Sequence, residues 1–216
     1  MIIAIDGGVA SGKSAVGRRV AEKLGLPFVD SGLMYRAVTR LAAERGLDPL
    51  DESAITALAQ SSEMRVDGGH IWANGVDLTE GIYDAQYADA LPLISAAPGV
   101  RSALVAQQRR VGDRGVLMAG RDIGTVVFPD ADHKFFLVAS LDEKVRRRTA
   151  QYERRGERVD AEAMRKEVEA RDRVDTERTV APLRPAPDAV VVNTDHLDLD
   201  QVVDLIVDRV RARAGA

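Results

Sequence analysis

The chain has 216 residues, of which 45% are hydrophobic and 30% charged, the balance of a soluble globular protein with one compact domain or one core plus a small insertion. It contains no cysteine, which excludes disulfide frameworks, thiolate zinc sites and cysteine nucleophiles. Its formal net charge of -4 gives no overall basic field for nucleic acid, although arginine is crowded between Arg146 and Arg178.

Short apolar runs alternate with helical patterns, which predicts a parallel sheet flanked by helices. Ile2 to Ile5 reads as a buried strand; without a basic n-region, and running into a glycine-rich loop, it is expected to be a first strand and not a signal peptide. A helix follows Lys13, with Val16, Val20 and Leu24 on one face. Leu26 to Val29 reads as a second strand. From about Met64 to Leu78 the pattern suggests a hairpin turning at Asn74-Gly75, a small β insertion that we place roughly within 60–97. Val116 to Ala119, Lys134 to Val138 and Ala189 to Val192 read as further strands. A helix is expected from Ser140, with Glu143 completing a capping box, to near Gly156. Another begins after Asp160 and turns Met164 and Val168 inward. The last helix buries Leu199, Val202, Val203, Ile206, Val207 and Val210, capped by the pair Asp198 and Gln201. No apolar run approaches the ~20 residues of a bilayer span, so a cytoplasmic protein is expected. His70, His133 and His196 share no metal-ligand spacing.

Gly7-Gly8-Val9-Ala10-Ser11-Gly12-Lys13-Ser14 satisfies the phosphate-loop pattern G-x-x-x-x-G-K-[ST], between a strand and a helix as that pattern requires. Its glycines let backbone N–H groups turn around phosphate oxygens, and the following helix, from Ala15 on, adds its positive dipole end. Lys13 is placed to serve the β and γ phosphates, and the Ser14 hydroxyl to ligate Mg²⁺.

Three further segments bear on the phosphate acceptor: Asp30-Ser31-Gly32 with Tyr35-Arg36, Gly120-Arg121-Asp122-Ile123-Gly124-Thr125, and Arg171-Asp172-Arg173-Val174-Asp175-Thr176-Glu177-Arg178. The first two end strands, where ligands sit in open α/β sheets. Arg171, Asp175 and Arg178 would share one face if their helix continued. Arg36, Arg121 and Arg178 suit a monophosphate, which favours planar bidentate donors. Asp175 and Arg171 suit ribose hydroxyls.

With Pro98-x-Val100-Arg101 and the long run from Gly120 to Ala131, these motifs make the chain resemble the bacterial cytidylate kinases of the nucleoside monophosphate kinase group, nearly end to end. The resemblance implies a single P-loop kinase domain over 1–216, with the β insertion in a mobile monophosphate-binding part. It implies that Arg101 and Asp122 contact cytosine and that Ser31 lies at the acceptor site. A carboxylate suits the cytosine amine, whereas the uracil carbonyl would leave Asp122 unpaired, at a cost of about 1–3 kcal/mol or more. The expected reaction is transfer of the ATP γ-phosphoryl group to CMP or dCMP, with Lys13, Arg121, Asp122 and Arg178 as the catalytic groups. A lid around 145–165 would close over ATP, with Arg147, Arg148, Arg155 and Arg158 as candidates and the first two the better matched.

Two positions depart from the family pattern. Pro92 stands where a serine commonly contacts cytosine, and Ala119 stands where a carboxylate often precedes Gly120. The alternatives are another small-molecule P-loop kinase, acting on UMP, dephospho-CoA or shikimate, and a nucleotide-binding protein without catalysis. A GTPase lacks support, since no Asn-Lys-x-Asp signature occurs. A monomer acting on small molecules, with neither nucleic acid nor membrane as partner, is the expectation.

Overall fold

In a computed structural model, the structure describes residues 1–214 except Arg155 and Glu157, and for 213 and 214 the backbone alone. Five strands, β1 (Ile2–Gly7), β2 (Phe28–Asp30), β6 (Val116–Gly120), β7 (His133–Val138) and β8 (Val190–Asn193), form a parallel sheet in the order β2-β6-β1-β7-β8. This is the parallel sheet expected from the alternation of apolar runs. A smaller antiparallel sheet joins β3 (Met64–Asp67), β4 (His70–Ala73) and β5 (Val76–Asp77) in sequence order.

Helix α1 (Lys13–Leu24) starts at Gly12 and ends at Gly25, both with positive φ. The Leu26 N–H returns to the Ala21 carbonyl at 2.9 Å, a helix-terminating closure that needs the left-handed Gly25. Leu26 therefore belongs to the helix end, and β2 begins at Phe28, two residues later than the apolar run suggests. Val16 and Val20 of α1 pack with Val203, Ile206 and Val207 of α8 (Leu199–Ala214) on one face of the sheet. On the other face Ala4, Val29 and Met118 meet Ile123 and Val127.

A third cluster joins α2 (Ser31–Glu44), α3 (Glu52–Ser61), α4 (Ala90–Ala96) and α5 (Pro98–Val111) to the small sheet, through Val38, Ile55, Ile71, Ile94 and Leu104. The small sheet is more than the expected hairpin. Asn74-Gly75 turns β4 into β5 with φ of 50 and 79, and Gly68-Gly69 makes an earlier turn that adds β3.

Ser140 caps α6 (Leu141–Glu153), accepting from the Glu143 N–H at 3.3 Å. The reciprocal half of the expected box is missing: the Ser140 N–H donates to Asp195, while the Glu143 carboxylate takes Arg146 and Arg147. Asp160 caps α7 (Ala161–Glu177), with Met164 and Val168 buried as expected. Asp198 and Gln201 exchange both bonds, at 2.9 and 2.8 Å. Helix α7 stops at Glu177. Arg178 therefore lies beyond the helix in extended backbone, so the continuing helix that would put it on one face with Arg171 and Asp175 does not form.

Candidate functional site

The carboxyl ends of β1, β2 and β6 open on one cleft of ≈ 330 Å³, a volume within the range of small-molecule sites. Strand pairing places them: Asp6 lies beside Gly120 and Asp30 beside Ala119. Val9, Ala10, Gly12, Lys13, Ser14 and Ala15 form one side of the wall. Ser31, Arg36, Arg101, Arg121 and Asp122 form the other side, and Arg148, Arg171, Asp175 and Arg178 close over them.

Four predicted residues stand behind this wall. Gly7 ends β1, where an added Cβ would lie 2.6 Å from the Leu137 carbonyl oxygen. Gly8 lies under Asp172, and Ser11 is buried within the loop. Arg147 reaches the loop from outside, donating to the Ser11 carbonyl at 3.3 Å and to the hydroxyl and carbonyl of Thr194 at 2.9 and 2.8 Å. It braces the loop without lining the cleft. Arg158 is exposed in the connection between α6 and α7, and Arg155 lies outside the described residues.

Lys13 donates to the Gly8 carbonyl at 2.9 Å. Burial, then the nearby Arg121 guanidinium, brings its ammonium down to about 7. Arg101 and Asp122 form an ion pair, and Arg101 also donates to the Ser95 carbonyl at 3.1 Å. Arg101 stacks 5.3 Å above the Tyr35 ring. Burial works to raise the Asp175 carboxyl, but Arg121, Arg171 and Arg178 outweigh it and hold it below its usual range. The Arg121 Nε donates to Asp175 at 2.7 Å.

Positive charge here is crowded. Burial first, and neighbouring guanidinium groups second, lower Arg171 and Arg178, while in Arg36 burial leads and Arg148 and Arg171 add to it. The buried Arg101 Nε, Arg148 Nε and Arg178 Nη2 have no hydrogen-bond partner among the described residues. Such a cluster gains from an anion that neutralises it and accepts its free donors.

Several contributors escaped the sequence reading. Asp6 is buried, and its carboxylate accepts the N–H groups of Ile123 and Gly124, both at 2.8 Å. These donors open a π-helical turn, Ile123–Val127, so Asp6 caps the segment that carries Asp122. Burial pushes the Asp6 carboxyl up to about 6, although those two N–H groups work the other way. Ser95 on α4 is buried at the cleft wall; its hydroxyl donates to the Pro92 carbonyl at 3.2 Å and accepts from Arg171 at 3.3 Å. Pro92 itself does not line the cleft. Ala119 is buried in the core that α1 and α8 share, and its carbonyl accepts from the Ser31 hydroxyl at 2.9 Å.

The Ser14 hydroxyl lines the cleft and is an oxygen donor of the kind a hard divalent cation takes; among the described residues no three acidic or imidazole side chains cluster as a metal site. Among the described residues, no helix is long and apolar enough to cross a membrane.

A sequence model described as cytidylate kinase matches residues 3–212. A cytidylate kinase from Geobacillus kaustophilus is 42% identical over 99% of this chain and 97% of its own length. A bifunctional pantoate ligase/cytidylate kinase from Synechococcus sp. (strain JA-2-3B'a(2-13)) is 44% identical over 95% of this chain. The chain spans only 40% of that bifunctional relative. Among solved structures, a shikimate kinase from Bacteroides thetaiotaomicron aligns over 100% of this chain and 99% of its own, with a TM-score of 0.50 and 13% identity. That likeness shows the fold, a parallel sheet flanked by helices.

Proposed function

The chain belongs to the cytidylate kinase family, and from that membership and the cleft we propose that it transfers the γ-phosphoryl group of ATP to CMP or dCMP, giving ADP and CDP or dCDP. The observation that carries this reading is the buried Arg101–Asp122 pair in the same cleft as Lys13. A carboxylate accepts the cytosine amine, and an adjacent guanidinium donates to the ring acceptors. Uracil presents a carbonyl where cytosine presents its amine, so Asp122 selects against it.

Catalysis here is positioning and charge neutralisation, since phosphoryl transfer asks little covalent chemistry of the protein. The loop from Gly7 to Ser14 cradles the donor phosphates, and Lys13 supplies charge beside them. Arg36, Arg121 and Arg178 hold the acceptor phosphate, while Arg171 and Asp175 hold the ribose. Ser31 fixes the acceptor edge through its bond to the end of β6. Ser14 is the residue that would hold Mg²⁺, which when bound with ATP neutralises phosphate charge. Ser95, one turn after Pro92 on α4, supplies a hydroxyl at the wall where Pro92 has none to give.

Residues 60–97 belong to the monophosphate-binding part and 145–165 to the lid, within one kinase domain. Arg148 is the lid arginine that lines the cleft and Arg147 its brace on the loop. The reading includes a cytoplasmic monomer with small molecules as its partners.

The test is steady-state ADP release with ATP, Mg²⁺ and CMP, dCMP, UMP or AMP as acceptor. Marked preference for CMP and dCMP is the expected result. Comparable rates with UMP remove the assigned role of Asp122, and turnover with none of the four removes the reading.

A further inference from the structure

Tyr83 lines the cleft yet stays 46% exposed, and Arg36 stands over its ring, with the guanidinium carbon 4.6 Å from the ring centroid. The segment that carries Tyr83 is fixed by its neighbours. Leu78 and Ile82 bury in the cluster that also holds Val38 of α2. Gly81 turns the chain between them with a φ of 72, and the Asp84 N–H closes on the Gly81 carbonyl at 3.0 Å. Four residues after Arg36 on α2, Arg40 donates to the Leu78 carbonyl at 3.0 Å and also to the Glu80 carbonyl. Residues at that spacing share a helix face. Helix α2 therefore grips this segment twice, through backbone carbonyls at Arg40 and through the ring at Arg36.

The arginines assigned to the acceptor phosphate are thus held by different means. The Arg121 Nε donates to Asp175 at 2.7 Å, and Arg178 stands 3.6 Å from Asp175 and 3.7 Å from Asp122. A carboxylate occupies guanidinium N–H donors and sets negative charge where an anion must enter. An aromatic face attracts the cation through its quadrupole and takes none of the in-plane donors of the fork. Arg36 has need of such a hold. Burial works against its charge first, Tyr83 acts the other way, and Arg148 and Arg171 add to the loss. Without the ring, the guanidinium loses the group at its back while both arginines still repel it.

We propose that Tyr83 is a positioning residue for the acceptor: its ring backs the Arg36 guanidinium and keeps the N–H fork presented to the monophosphate. This rests on the reading in which Arg36 holds that phosphate. It gives the segment after β5 a direct part in acceptor binding, through a side chain that touches the phosphate-holding group and not the base readers.

The test is calorimetric binding of CMP, with steady-state kinetics beside it, for wild type, Tyr83→Phe, Tyr83→Leu, Arg36→Ala and the double variant Tyr83→Leu/Arg36→Ala. Y83L should weaken CMP binding roughly fivefold, as expected for loss of a partly exposed cation–π contact. The loss should be read as a raised KM for CMP, with kcat and the KM for ATP little changed. Y83F keeps the aromatic face and should bind CMP within about twofold of wild type. In the R36A background Y83L should cost nothing further, because the ring acts through the guanidinium. An equal loss in both backgrounds assigns the effect to packing and overturns the proposal. A loss in Y83F as large as that in Y83L assigns it to the hydroxyl and overturns it too. If Arg36→Ala leaves CMP affinity unchanged, the reading of Arg36 fails and takes this inference with it. If Arg36→Ala weakens CMP binding and Tyr83→Leu does not, the inference fails alone.

Discussion

Arg101 and Asp122 pair inside the protein with side chains only 4% and 6% exposed, so neither can be neutralised by solvent if its partner changes. Asp122→Asn keeps an acceptor oxygen but replaces the charge and offers an amide N–H in its place. That N–H suits the carbonyl of uracil and not the amine of cytosine. The kcat/KM for CMP should fall by about a hundredfold, the equivalent of ~3 kcal/mol, while that for UMP holds or rises. Acceptor kinetics on the purified variant check this, and an equal loss for both nucleotides would place Asp122 outside base selection.

Asp6 gives a pH dependence whose direction is fixed by its environment. Its carboxyl ordinarily titrates at 3.8 and here at about 6, because burial outweighs the two N–H bonds it accepts. Between those values the folded protein binds more protons than the unfolded chain, so stability is lost as pH rises through that window. The full loss is ~3 kcal/mol, from about 1.36 kcal/mol for each unit. Asp6→Asn removes the titration and also sets an NH₂ group against one of the N–H donors at Ile123 or Gly124. It should be less stable than wild type at pH 5, with the deficit narrowing by pH 7.5. Urea unfolding at both values measures this; a deficit that widens with pH contradicts the assignment.

How much of this was legible in the sequence follows from the range of each interaction. The strand, glycine-rich loop and helix from Ile2 to Leu24, the helix that begins after Asp160, the paired Asp198 and Gln201, and the alternation of strands and helices are local signals, and the structure contains each of them. Asp6 escaped notice because its partners lie 117 and 118 residues away and meet it only through the β1–β6 register. Ser95 is not legible because the sequence shows a hydroxyl missing at Pro92, while only the fold shows that the hydroxyl reaching the wall sits one helical turn later. The turn at Gly68-Gly69 was in plain view, yet the stronger Asn74-Gly75 signal made a hairpin sufficient to explain the segment. Whether Arg178 shares a helical face with Arg171 and Asp175 is not legible, because spacing alone cannot show that the chain leaves α7 at Glu177. Its side chain nevertheless returns to Asp175 at 3.6 Å.

Gly17 tests which of two opposed effects governs α1. In an exposed helix interior, alanine is favoured over glycine by about 1 kcal/mol. Here an added Cβ would lie 2.8 Å from Phe28 Cε2 and 3.1 Å from Leu117 Cδ2, inside the core between helix and sheet. Overpacking of that kind costs ~1–3 kcal/mol and should win. Gly17→Ala should therefore lose up to about 2 kcal/mol net, a fall in melting temperature of up to about 8 °C. A raised melting temperature would mean that Phe28 yields freely and that propensity dominates.

Arg147 and Arg148 are adjacent in sequence and do different work in the fold. Arg147 is fixed from several directions, by Glu143, by the Ser11 carbonyl and by Thr194, so it ties α6 and the end of β8 to the phosphate loop. Arg148 lines the cleft, and its bonds to Gln151, Tyr152 and Glu167 are long, at 3.3, 3.4 and 3.2 Å. Its Nε has no hydrogen-bond partner among the described residues. A guanidinium held this loosely can re-aim at charge that develops during transfer, whereas one held on every side cannot. Arg148→Ala should lower kcat by roughly 10²–10³-fold, as for loss of one preorganised donor to a transition state, with little change in melting temperature. Arg147→Ala should instead raise the KM for ATP and lower the melting temperature, because the loop loses its brace and the Thr194 carbonyl loses a donor. Steady-state kinetics with ATP varied, run beside thermal unfolding of the two variants, separate the roles, and an exchange of the two patterns would reverse the assignment.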